Sequence, residues 1–117
     1  MNISISGLHL ETDPKLSLYA QKKVQKLSKY DSSILKIEVR LISEKSHRGK
    51  ENDFYCEINV TLPKRILEIV DVERGFEKAI DKAVERMKNT LIRNKEKHIS
   101  QKHKREILNK FINRFRR

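Results

Sequence analysis

Residues 35–41 read Leu35-Lys36-Ile37-Glu38-Val39-Arg40-Leu41, with an apolar side chain at every second position and a charged one between. Period two is the pattern of a strand with one buried face and one wet face. The alternation returns at Phe54, Cys56, Ile58, Val60 and Leu62. A polar stretch over 44–52, containing Gly49, separates the two runs, and Pro63-Lys64 marks a turn after the second. A shorter run from Ile66 to Val70 predicts one more strand, with Leu67 and Ile69 flanking an outward Glu68. Three strands joined in this way form an antiparallel meander.

On the N-terminal side, Ile3 and Ile5 alternate with Asn2, Ser4 and Ser6, which predicts another one-sided strand ending near Gly7. Thr12-Asp13-Pro14 reads as a helix start, a capping side chain followed by proline at the first helical position. Leu16, Ala20, Val24 and Leu27 follow at helical spacing and predict a helix from about Pro14 to Tyr30, broken by Asp31-Ser32-Ser33. On the C-terminal side, Phe76, Ile80, Ala83, Met87 and Leu91 form a second helical stripe. Asp71 and Glu73 precede it, where carboxylates favour the positive end of a helix.

The order β-α-β-β-β-α makes the first two strands parallel, with a right-handed crossover. The predicted class is α+β: two helices packed on one face of a four-stranded sheet, plus a basic C-terminal helical extension. The other sheet face is expected to be largely polar, with Ser4, Glu38, Arg40, Glu57, Asn59 and Thr61.

The chain has 117 residues and a net charge of +11. That length suits one domain and a tail, read as 1–97 and 98–117. The tail holds seven Lys/Arg against Glu106 alone. Its Ile107, Leu108, Phe111, Ile112 and Phe115 recur at helical spacing among Lys104, Arg105, Lys110 and Arg114, a basic amphipathic pattern. A basic excess of this size favours a polyanionic partner, because cations placed on phosphates release condensed counterions. Net charge alone does not separate RNA, DNA and an anionic membrane.

No basic leader precedes an apolar block at the N-terminus, and no run approaches the roughly 20 apolar residues of a membrane span. A cytoplasmic, reducing setting is expected. Cys56, the one cysteine, lies in an alternating apolar run and reads as a small buried hydrophobe. His9, His47, His98 and His103 lack the spacing of a metal site, and three glycines make no phosphate loop. The expectation is a protein without catalysis, metal or cofactor.

Charge placement sharpens the partner. At about 100° per residue, Lys15, Lys22, Lys26 and Lys29 share a narrow arc of the first helix. Lys82, Arg86, Asn89, Arg93 and Lys97 form a line on the second. Both are expected opposite the core stripes, as two solvent-facing ridges side by side that suit a phosphate backbone. A core-packed helix ordinarily has a charged outer face too. Here the first arc contains no acid, and Glu85 and Glu96 only border the second line. Scarce aromatics favour backbone and shape recognition over base stacking.

Two stretches then carry a resemblance. Lys22-Lys23-Val24-Gln25-Lys26-Leu27-Ser28-Lys29-Tyr30 and Phe76-Glu77-Lys78-Ala79-Ile80-Asp81-Lys82-Ala83-Val84-Glu85-Arg86, with the order of elements and the run through Leu91 to Lys95-Glu96-Lys97, resemble the ribosome hibernation-promoting factor family. This family is also called ribosome-associated translation inhibitor or sigma-54 modulation protein. The resemblance covers about residues 1–97. It implies binding of ribosomal RNA on the small subunit, in the channel between head and body where mRNA and the A- and P-site tRNAs sit. It also implies a block on initiation and protection of idle ribosomes in starvation or stationary phase. The family's basic helix positions correspond here to Lys22, Lys23, Lys26, Lys29, Arg86, Arg93, Lys95 and Lys97; Lys82 is added by helical geometry.

There are departures. Gly75-Phe76-Glu77 stand where the family often has Asp-Met-Tyr, and Asn89 and Ile92 replace commonly basic positions. Long members carry a C-terminal dimerisation domain, for which residues 98–117 are too few. The resemblance therefore implies a short form, a monomer that does not by itself pair ribosomes. Tail residues Lys104, Arg105, Lys110 and Arg114 are expected to touch RNA or a ribosomal protein. Two other readings stay open: a general double-stranded RNA-binding module, and a membrane- or protein-binding module acting through 104–117.

Overall fold

The structure, a computed structural model, describes residues 2–7, 13–45 and 52–115, with side chains described within 2–7, 13–44 and 53–95. Its elements are β1 (Asn2–Gly7), α1 (Pro14–Gln25), a 3-10 turn (Lys26–Lys29), β2 (Lys36–Lys45), β3 (Asn52–Leu62), β4 (Arg65–Glu73) and α2 (Phe76–Phe115). The sheet order is β1-β2-β3-β4, with β1 parallel to β2 and the other pairs antiparallel. This is the predicted α+β architecture.

Register explains the one-sided core. Ile3 pairs with Ile37 and Ile37 with Val60; Ile5 pairs with Val39 and Val39 with Ile58. These rows therefore stack on one face. The helices cover that face with Leu16, Ala20, Val24, Leu27, Ile80, Ala83, Met87 and Leu91, all in one cluster with Ile37, Val39, Ile58 and Val60. Burying a large aliphatic side chain contributes roughly 1.5–3 kcal/mol. Ala20, Ala79 and Ala83 are fully buried. A methyl group at these positions lets helix backbones approach their neighbours closely.

The start of α1 is the one read from sequence. Asp13 accepts a hydrogen bond from the Leu16 amide at 3.2 Å, and Pro14 opens the helix. Its end differs. The α-helix stops at Gln25 and tightens into the 3-10 turn, closed by the Tyr30 amide donating to the Leu27 carbonyl at 3.0 Å. β2 and β3 also run further than predicted, to Lys45 and from Asn52, while residues 46–51 of the predicted loop, His47 and Gly49 included, lie outside the described residues.

The largest correction concerns β4. It runs from Arg65 to Glu73, so Asp71 and Glu73 belong to the strand and not to the approach to α2. Asp71 follows Leu67 and Ile69 on the inward face and pairs in register with Cys56. A carboxylate in an inward position interrupts the apolar alternation, which is why the run appears to end at Val70. The open face is also less uniformly polar than expected. β4 places Ile66, Val70 and Val72 there, beside Thr61, Glu57 and Tyr55, and all three are exposed.

α2 is a single helix of 40 residues. At 1.5 Å per residue it is about 60 Å long, so it outruns the sheet. Leu91 is the last of its residues in the core among those whose side chains are described. The helix passes residue 97 without a break, and the expected tail residues Lys104, Arg105, Lys110 and Arg114 lie on its backbone, their side chains outside the described set. Among the described residues no helix is long and apolar enough to cross a membrane.

At Gly7 an added Cβ would lie 2.7 Å from the Leu41 carbonyl oxygen and 3.3 Å from the Leu41 Cβ. The closer obstacle is backbone, so β1 and β2 would have to part. Gly7→Ala is expected to destabilise the fold by about 1–3 kcal/mol, measured as a lower urea midpoint at unchanged slope. An unchanged midpoint would show that the strand end yields freely.

Candidate nucleic-acid interface

Of the predicted arc, Lys15 and Lys22 lie on α1, and Lys26 and Lys29 on the 3-10 turn that follows it. Lys15, Lys22, Lys26 and Lys29 are all exposed. In a 3-10 turn residues three apart eclipse, which aligns Lys26 with Lys29 more closely than an α-helix would. Among the described residues no carboxylate pairs with any of these four lysines.

Lys23 is different. It leans toward α2, with Nζ 3.5 Å from Asp81 Oδ1 and 5.4 Å from the centre of the Tyr19 ring. The Tyr19 hydroxyl donates to the same Asp81 oxygen at 2.6 Å. This hydrogen bond, with smaller contributions from burial and from the charges of Asp81 and Glu77, pushes the Tyr19 phenol up to about 12. About two turns further along α2, Lys88 sits 5.5 Å from the centre of the Tyr30 ring. Between the helices runs a groove of about 270 Å³, floored by Leu27 and Val84 and edged by Lys23, Lys26, Asp81, Glu85 and Lys88.

On α2, Lys82 and Arg86 are solvent-exposed, but each is tied to an acid of β4. Lys82 Nζ lies 3.3 Å from Glu73 Oε1, and Arg86 Nη1 lies 2.6 Å from Asp71 Oδ1 and 3.2 Å from the Val70 carbonyl. Both therefore reach over the flank of α2 that faces β4. Farther along, Arg65 Nη1 donates to Asn94 Oδ1 at 2.6 Å. The three links occur in inverse order along the two elements, so β4 runs antiparallel to α2. Arg93 Nε donates to the Asn89 carbonyl of its own helix at 3.3 Å, and Lys95 is exposed. Lys97 lies on the α2 backbone, its side chain outside the described set.

The structure thus brings the sequence-predicted cations to two separated lines. The α1 line is unpaired among the described residues, whereas Lys82 and Arg86 are held by acids of β4. The acids Asp71, Glu73 and Asp81 were missed as partners. Residue spacing carries no signal for a contact between a strand and a helix 9 or more positions away. The arrangement can hold phosphates. It also leaves Cys56 fully buried, with burial first and the charges of Asp71 and Glu57 next pushing its thiol up to about 12. That thiol stays protonated near neutral pH, as suits a core side chain. Among the described residues no group of three His, Cys, Asp or Glu side chains could hold a metal ion. His9 and His47 lie outside the described residues, as do the side chains of His98 and His103.

The model of the sigma 54 modulation protein / S30EA ribosomal protein family matches residues 3–99. The chain belongs to this family. The resemblance read from residues 22–30 and 76–86 is therefore correct. Among solved structures, the fold is similar to the Protein Y N-terminal domain of Thermus thermophilus, with 28% identity and a TM-score of 0.65, covering 80% of this chain and 98% of that one. It is also similar to a ribosomal subunit interface protein from Coxiella burnetii, with 18% identity and a TM-score of 0.68, covering 82% and 99%. No curated protein matches the chain. About a fifth of this family member falls outside each of these two matches.

The Tyr19–Asp81 bond can be read directly. Because the folded phenol is raised, its contribution to stability is complete below the ordinary tyrosine range near 10 and is lost as pH climbs through about 12. Spectrophotometric titration should show a late tyrosine step that moves to lower pH in Asp81→Asn and disappears in Tyr19→Phe. A titration curve unchanged in Asp81→Asn would contradict the assignment.

Proposed function

We propose that this chain is a ribosome hibernation factor. It binds ribosomal RNA in the mRNA and tRNA channel of the small subunit, blocks translation, and preserves idle ribosomes under stress and in stationary phase. Membership of a family described by a ribosomal protein supports the ribosome as partner. The observation that carries RNA as the ligand is the line Lys15, Lys22, Lys26 and Lys29, exposed along one helix and joined to no carboxylate among the described residues. A solvated charged face normally intersperses acids with bases. A run without them keeps its full charge available for counterion release on a phosphate backbone. Lys23, Lys82, Arg86, Arg93, Lys95 and Lys97 extend the surface, and Lys104, Arg105, Lys110 and Arg114 reach further along α2 toward RNA or a ribosomal protein.

In this reading the chain is a cytoplasmic monomer, works without cofactor or catalysis, and does not pair ribosomes by itself. A general duplex-RNA module is less well supported. Such modules concentrate lysines at the start of the last helix, whereas the first turn of α2 carries a single lysine, Lys78, beside Glu77.

The proposal is tested by sedimentation with purified small subunits at increasing salt. Binding is expected at low salt and lost at high salt. Simultaneous reversal of Lys22, Lys26, Arg86 and Arg93 to Glu should weaken it by on the order of a hundredfold or more. Equal affinity for free duplex RNA and for small subunits would favour the general module, and an unaffected reversal variant would rule out this surface.

A further inference from the structure

Asp71 is a buried carboxylate, 4% exposed, in line with Leu67 and Ile69 on the inward face of β4. Taking a carboxylate out of water is costly, so its retention asks for a partner. That partner is Arg86, whose side chain remains about half exposed. The two hydrogens of Arg86 Nη1 have two acceptors, Asp71 Oδ1 at 2.6 Å and the Val70 carbonyl at 3.2 Å. Among the described residues Asp71 Oδ2 is enclosed and accepts no hydrogen bond, so the acid is committed through one oxygen.

A guanidinium is a rigid plane with five donors. Fixing Nη1 at two points fixes the direction of the remaining edge, where Nε and Nη2 lie side by side. Among the described residues that edge has no protein acceptor. It is the edge that takes two oxygens of one phosphate in a bidentate pair.

We infer that Asp71 is a positioning residue: from beneath the interface it aims the free Nε/Nη2 edge of Arg86 at a single backbone phosphate of the bound RNA. This rests on the RNA-binding reading above and adds a geometric role for an acid within a cationic surface. The sign of the effect separates it from simple charge. Removing an acid raises the net charge by one, which by electrostatics alone tightens binding to a polyanion. Loss of positioning does the opposite.

The test is small-subunit affinity across a salt series for the wild type, Asp71→Asn and Arg86→Lys, each with its thermal melting temperature. Asn has nearly the shape of Asp but holds a guanidinium less firmly. Lys keeps the charge and lacks the fork. Both variants are expected to bind about tenfold more weakly. Asp71→Asn should also lose about 0.7–0.9 from the slope of log affinity against log salt, the signature of one missing phosphate contact, whereas Arg86→Lys keeps its charge and should keep the slope. Asp71→Asn that melts like the wild type and binds as well or better overturns the inference. If Asp71→Asn does not fold, Arg86→Lys decides alone, and wild-type affinity in that variant overturns the inference equally. A wild type that binds no small subunits instead overturns the RNA-binding reading, and this inference with it.

Discussion

The interaction on which the structure depends is the burial of one face of β2 and β3. Ile37, Val39, Ile58 and Val60 form adjacent rows in register, and each is all but completely removed from water. A face like that must be covered, and a helix can cover it only with a stripe of its own. α1 and α2 supply such stripes. Fully buried alanines at 20, 79 and 83 let the helices sit close. The sheet therefore sets where the helices lie, and the helices carry the cations. Displace the sheet rows and the charged surface loses its geometry.

Over this apolar base the charges fall into two kinds. The lysines along the outer face of α1 extend into solvent, where their energy of interaction with one another and with salt ions is modest. Lys23, Lys82 and Arg86 are instead braced by acids from another element: Asp81, Glu73 and Asp71 respectively. For the exposed pairs the contribution to stability is small. Their effect is geometric, because each narrows the positions a long side chain can take. Asp71 stands apart, since its burial gives it few alternatives to the one contact it makes. A cationic surface containing acids is thus less contradictory than composition suggests.

The sequence was a good guide wherever a local rule applied. Period two placed β1, β2 and β3, Asp13-Pro14 placed the start of α1, and the stripe from Phe76 to Leu91 placed the buried part of α2. It misled where a local rule met a long-range contact. Asp71 and Glu73 resemble acids at a helix start, because that is the commonest local use for them, and only the partners on α2 explain them as strand residues. The open face was read as polar from Glu68 and the polar residues of β1–β3, although period two puts Ile66, Val70 and Val72 on the same side of β4 as Glu68. The cationic residues themselves were legible, but their grouping was not: helical geometry gives an angle around one axis and says nothing about what lies alongside it.

By itself, then, the sequence determined the elements, their order, the core face of each and the family, because all of these are written in spacings of a few residues and in short runs. The tertiary structure alone decided which cations are held by acids, that β4 lies alongside α2, and that Tyr19 and Lys23 meet at Asp81. Those contacts join residues 9 to 62 positions apart. Their formation depends on how helices seat on a twisted sheet, a property of the packed whole that no local pattern encodes.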